Sequence, residues 1–206
     1  MAARPIKAAR MNVRVPAWPC DHECFADALL QWMQEAGGTN YDPSVTQFEH
    51  ALQSAALAAA VPGASKALIA AAFLHDVGHL LAGEHAGEDS FLMQDVRHEL
   101  IGASWLSRVF GPDVTEPVRL HVDAKRYLCT TDAGYHERLS ASSKRSLEMQ
   151  GGGMCAAELA RFHAQPHAEP ALLLRQIDDT AKVKACVTPP ATAYRPVLIA
   201  CIGERF

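Results

Sequence analysis

Strand patterning is all but missing from this sequence. No alternating run is longer than about five residues, and neither an internal repeat nor a low-complexity tract interrupts the chain. A basic surplus is missing as well. Nineteen Lys+Arg against 23 Asp+Glu leave a net charge of −4, which removes the phosphate-neutralising drive behind duplex nucleic-acid binding. Long apolar runs are absent: the longest, Ala67–Leu74, stops at His75, short of a membrane span. The stretch Met1–Val15 carries Arg4, Lys7, Arg10 and Arg14 but no apolar h-region, so a secretory signal is not expected there. The six cysteines (Cys20, Cys24, Cys129, Cys155, Cys186 and Cys201) lack metal-knuckle spacing, and the chain is too large for a disulfide scaffold. Reduced thiols in a cytoplasm are the expectation.

What is present is an ordinary globular composition, 49% apolar and 20% charged over 206 residues, enough to bury one core without staples. Residues 1–20 are basic and Pro-punctuated and read as a flexible arm, 21–186 as a helical core, and 187–206 as a tail packing on it. Helical spacing begins after Asp21, an expected N-cap, and ends at Gly37-Gly38. Ser44 with Gln47 has capping-box spacing for a second helix running to Pro62-Gly63. A third, Ala64–His75, is apolar nearly all round and therefore buried. Gly78, Gly83 and Gly87 suggest a loop. Further helices are expected at Val96–Phe110, Asp113–Tyr127, Ala141–Met149, Met154–His163 and Glu169–Lys182. The expected fold class is all-α.

Ten histidines stand out. His75 and Asp76 close an apolar helix, where two ionisable groups need compensation. His50, His98, His121 and Asp178 lie in or at the head of other helices, and one inward ligand per helix is how bundles build metal sites. Imidazole and carboxylate without thiolate suit iron, manganese, zinc or nickel. Four His and two Asp exceed what one open catalytic ion takes, so two metals with a bridging carboxylate are expected.

The ordered set His50, His75-Asp76, His98, His121, Asp178 resembles the HD-domain superfamily of metal-dependent hydrolases and oxygenases. The segments Gln47–Gln53, Leu74–Leu81, His98-Glu99 with Gly102-Ala103, His121–Leu128, Ser146–Gly152 and Asp178–Lys182 look like the branch that holds a mixed-valence diiron centre. That branch contains inositol oxygenase and the PhnZ/TmpB-type enzymes of phosphonate catabolism. The resemblance implies an HD-domain bundle, two iron ions (Fe2+/Fe3+) and O2 as co-substrate. His50, His75, Asp76 and Asp178 would hold one iron, and Asp76, His98 and His121 the other. Tyr41 would occupy an iron until substrate displaces it, and His79, Lys125, Ser143 and Ser146 would hold the phosphonate, with Tyr41, His79 and Lys125 serving catalysis. Lys125 lies one turn beyond His121, and a Lys, a His and two hydroxyls suit a dianion. Ser143 and Ser146 serve equally well as caps, and Glu49 and Glu99 either support ligand imidazoles or form surface pairs.

The implied reaction is oxygenative cleavage of the C–P bond of a 1-hydroxyphosphonate. Tyr41 is followed by Asp42-Pro43-Ser44 rather than a glutamate placed for a primary ammonium. This favours (1R)-1-hydroxy-2-(trimethylammonio)ethylphosphonate, giving glycine betaine and phosphate, over 1-hydroxy-2-aminoethylphosphonate, giving glycine and phosphate. The alternative is an HD-type phosphohydrolase acting on a phosphomonoester or nucleotide. A small-molecule substrate is expected, with neither nucleic acid nor membrane as partner. The oligomeric state stays open.

Overall fold

A computed structural model describes residues 15–16, 21–42, 44–83 and 97–203, with residues 40–42 described by backbone alone. The arm expected over residues 1–20 and the glycine Gly87 fall largely or wholly outside these residues. The described chain is all-α apart from one small antiparallel pair, β1 (Asn40–Asp42) with β2 (Val45–Thr46).

Local chemistry sets the helix starts. Asp21 caps α1 (His22–Ala36) by accepting from the Cys24 N–H at 2.7 Å, and the helix stops at Gly37. The second helix, α2 (Gln47–Ala60), begins later than the Ser44 reading. Ser44 is taken up in the turn between β1 and β2, so Thr46 becomes the cap. Its hydroxyl accepts from the Glu49 N–H, and the Glu49 carboxylate accepts from the Thr46 N–H, a reciprocal box. This also gives Glu49 a capping role rather than one beside an imidazole. Ser65 caps α3 (Lys66–Leu74).

The expected loop at Gly78 is instead a second correction. Helix α4 (Val77–Ala82) runs straight through Gly78 and ends on left-handed Gly83. Gly78 is there for clearance: a Cβ on it would lie 1.9 Å from the His98 carbonyl oxygen. That close crossing lets α4 pack on α5 (His98–Leu106). The expected start at Val96 moves to His98 because Arg97 adopts a left-handed φ of 50° and cannot continue a helix backwards. The long helix α6 (Pro112–Thr131) outruns its expected end at Tyr127. It is followed by α7 (Tyr135–Arg138), α8 (Ala141–Met149, capped by Ser140), α9 (Ala156–His163) and α10 (Ala168–Thr180). A 3-10 turn over Ala191–Tyr194 leads into α11 (Arg195–Cys201).

Helix α3 is the hub of this arrangement. Ala70, Ala71, Ala72, Phe73 and Leu74 are all buried, and their mostly small side chains let α2, α6, α10 and α11 approach closely. Burying a residue such as Phe73 contributes about 1.5–3 kcal/mol. Tyr194 stacks on Phe73 at 5.7 Å, and Leu198 is buried, so the last elements belong to the same core. The end of α3, where His75 and Asp76 sit, is thereby enclosed by α2, α5, α6 and α10.

Candidate metal centre

Five histidines and two aspartates from six elements converge at the C-terminal end of α3. His50 comes from mid-α2, His75 and Asp76 from the α3–α4 junction, His79 from α4, His98 from the first position of α5, His121 from α6 and Asp178 from α10. His50, His75, His121 and Asp178 are almost wholly buried.

The imidazoles are locked with one nitrogen outward. His50 Nδ1 lies 2.8 Å from the Ala181 carbonyl, His75 Nδ1 2.9 Å from that of Ala72, and His121 Nδ1 2.7 Å from that of Val118. A carbonyl only accepts, so each Nδ1 carries a proton and donates, which turns Nε2 inward, its lone pair open to a cation whenever the ring is neutral. His98 Nδ1 faces the buried Glu99 carboxylate at 3.8 Å.

Those inward nitrogens meet in two pairs. His50 and His75 place their Nε2 atoms 3.2 Å apart, and His98 and His121 place theirs 3.1 Å apart. With both rings neutral, the carbonyl anchors would set the His50 and His75 lone pairs against each other, and a proton or a metal cation between them relieves the repulsion. Asp76 lies between the pairs. Its Oδ2 is 3.4 and 3.6 Å from His75 and His50 Nε2, while its Oδ1 is 3.5 and 3.7 Å from His98 and His121 Nε2. Asp178 Oδ1 adds to the first pair, 3.2 Å from His50 Nε2. Asp76 Oδ2 and Asp178 Oδ1 are buried and accept no hydrogen bond. His50, His75 and Asp76 form one tight group of potential donors, and Asp76, His79 and His98 a second. Orphaned carboxylate oxygens beside paired imidazole lone pairs are what a site for two hard-to-borderline cations requires.

Electrostatics divides the imidazoles. Burial, reinforced by His79, holds His98 well below its usual value, and burial with His75 pushes His121 down to about 3, so both are neutral ligands-in-waiting. At His75 burial is outweighed by Asp76 and Asp178, which raise it to about 9, so a metal ion would have to displace a proton from its inward nitrogen. Burial would raise Asp76, yet His75, His79 and His98 keep it far below the carboxylate range. Burial likewise opposes the Asp178 charge, and Arg175 and Lys182 overcome it.

The residues expected to hold an anion are partly assembled. Lys125 is buried, and its Nζ donates to Ser146 Oγ at 2.8 Å. Burial and then the Arg175 charge push its ammonium down to about 7. Ser146 Oγ donates in turn to the Ser143 carbonyl. The Ser143 N–H is already taken by Ser140 Oγ at 3.2 Å, so that amide is not free for an anion, and the helix cap is Ser140. His79 stacks on His98 with ring centroids 3.8 Å apart, and its Nε2 is 3.9 Å from Asp76 Oδ1. Tyr41 lies in β1, its side chain outside the described residues.

Sequence reasoning missed Arg175. It is buried on α10, ion-paired with Asp178 Oδ2 at 2.7 Å, donating to Asp179, and its Nε donates to the Tyr135 hydroxyl at 3.1 Å. Asp179, next to the ligand candidate Asp178, accepts from Arg175 and Tyr135 and belongs to this bracing network. The available signal was an arginine on the apolar stripe of Leu174 and Ile177, one turn before an aspartate.

Comparison with known proteins puts this geometry in context. The HD domain model matches residues 48–181. A hydroxymethylphosphonate dioxygenase of Gimesia maris is 47% identical over 85% of this chain and 87% of its own length. The glycine-betaine-forming [1-hydroxy-2-(trimethylamino)ethyl]phosphonate dioxygenase of Leisingera caerulea is 38% identical over 75% of this chain and 78% of its own. An uncharacterised protein of Acanthamoeba polyphaga mimivirus is 33% identical over 86% and 82%. A bundle with this His/Asp cluster at its centre and these relatives belongs to the HD-domain family, in its PhnZ/TmpB-type oxygenase branch.

Proposed function

We propose that this chain is an O2-dependent oxidoreductase that cleaves the C–P bond of a small 1-hydroxyphosphonate, with hydroxymethylphosphonate as its first substrate candidate. The observation that carries the reading is Asp76, whose two oxygens face opposite pairs of histidines. In this assignment His50, His75, Asp76 and Asp178 hold one iron and Asp76, His98 and His121 the other. When bound, a ferrous–ferric pair supplies the redox chemistry by which O2 is reduced and the substrate carbon oxidised.

The chain's own groups bind and orient. The Lys125 ammonium, with a donor committed to Ser146, has N–H groups left to offer a phosphonate oxygen, and Ser146 fixes their direction. His79, stacked on His98, would supply a second donor to the anion. Lys125 and His79 are buried, and the low local dielectric strengthens these charge-assisted contacts. Hydroxymethylphosphonate and O2 balance to formate and inorganic phosphate: the C–P bond breaks, each product gains one oxygen, and all four electrons come from the substrate. No external reductant is consumed per turnover.

Two points bear on the substituent at C1. The Gimesia relative shares more identity over more of the chain than the Leisingera relative. Asp42-Pro43-Ser44 offers no glutamate for a primary ammonium, which fits a substrate without an amino group as well as a trimethylammonium, a cation that donates no N–H. The test uses iron-loaded protein, with an oxygen electrode and a phosphate assay run together. Hydroxymethylphosphonate, the trimethylammonio and the amino hydroxyethylphosphonates are compared with a panel of phosphomonoesters. Equimolar O2 uptake and phosphate release, highest with hydroxymethylphosphonate, is expected. Phosphate release at full rate under argon would overturn the oxygenase reading in favour of hydrolysis.

A further inference from the structure

We propose that Arg175 is a positioning residue for the metal on the His50 side of the centre, holding Asp178 so that Oδ1 alone is presented to it. This rests on the reading that His50, His75, Asp76 and Asp178 hold a metal.

A carboxylate turns easily about its last torsion, and nothing in an aspartate itself decides which oxygen points where. Arg175 decides it at Asp178. Its Nη1 takes Asp178 Oδ2 at 2.7 Å, leaving Oδ1 facing His50 Nε2 at 3.2 Å. The guanidinium is braced on its other nitrogens. Nη2 donates to Asp179, and Nε donates to the Tyr135 hydroxyl, which itself donates to Asp179. The planar fork is therefore held at three nitrogens by groups from α7 and α10, and its side chain is only 5% exposed. Lys182 Nζ lies 3.3 Å from Asp178 Oδ1 and competes for the oxygen a metal would need. Were Oδ2 released, Asp178 could rotate toward Lys182 and leave the His50 side one ligand short. Among the described residues no hydrogen bond or ion pair joins Arg175 to Asp76, His98 or His121, so the other side should not depend on it.

Charge compensation alone makes a different prediction from positioning. A lysine supplies the same charge as a point but cannot form the three-way fork. The experiment titrates the metal-free full-length chain with Co2+, followed by visible absorption and checked by elemental analysis, for wild type, Arg175→Lys and Arg175→Gln. Wild type is expected to take two equivalents. Both variants should keep one equivalent at wild-type affinity and bind the other at least about tenfold more weakly, as loss of ligand-orienting partners does elsewhere. Two unchanged equivalents in Arg175→Lys would overturn the positioning role, and so would equal weakening of both. Should Arg175→Gln fail to fold by circular dichroism, Arg175→Lys decides, and Tyr135→Phe, which leaves every charge in place, must weaken the same equivalent. A wild-type chain that binds no metal would instead sink the metal reading itself.

Discussion

Replacing Lys125 by methionine separates binding from folding. The side chain is 3% exposed, similar in shape to Met, and hydrogen-bonded to Ser146 Oγ at 2.8 Å. If one charge-assisted bond to the phosphonate is lost, about 1.5–3 kcal/mol of transition-state binding goes with it, or roughly 10- to 150-fold in kcat/KM. Stability should move the other way. Burial holds the ammonium down to about 7, against about 10.4 for an unfolded lysine, so between these values the unfolded chain carries the extra proton. Stability therefore rises with pH across that window, and below about 7 the penalty for burying the charge is fully present. Lys125→Met removes the penalty, so its melting temperature at pH 6.5 should equal or exceed wild type. Activity has the opposite pH slope: kcat/KM for a dianion falls as pH passes about 7 and the ammonium loses its proton, and the variant lacks this limb. The assays are O2 uptake from pH 5.5 to 9 and calorimetry on the same samples. Unchanged kcat/KM, or a loss of activity matched by a loss of stability, would refute the reasoning.

Further outcomes follow from other contacts. Gly78→Ala should destabilise by at least about 1–3 kcal/mol through the clash with the His98 carbonyl, although helix propensity alone would favour alanine by about 1 kcal/mol; thermal denaturation reads the sign. Chelation of metal-loaded protein should lower the melting temperature, by about 2.7 kcal/mol worth of linkage at a free metal level 100 times Kd. Calorimetry with and without chelator checks this, and an unchanged melting point would argue that the cluster binds nothing. Thr46→Ala should cost about 1 kcal/mol in urea unfolding by breaking the reciprocal box with Glu49, with metal stoichiometry unchanged.

Much of this was legible in one dimension. Helical spacing, caps such as Asp21, and the punctuation by Gly and Pro depend on neighbours a few residues apart, so the all-α class and most helices could be read directly. The ligand candidates were legible because histidine and aspartate on apolar helix faces violate the burial rule and call for a partner. Where that reading erred, pairing rather than local spacing was responsible. Ser44 fell in the turn between Asn40–Asp42 and Val45–Thr46, and the backbone of His98, distant in sequence, crosses over a helical Gly78.

What the sequence by itself determined, then, is which residues carry charge and lone pairs and which local segments coil. Only the tertiary structure decided that Asp76 would lie between two imidazole pairs, that Ala181 and Ala72 carbonyls would set the tautomers of His50 and His75, and that Arg175 would brace Asp178. The reason is physical: hydrogen-bond direction and desolvation depend on atoms brought together from as far as 131 positions along the chain, and no local pattern encodes that meeting.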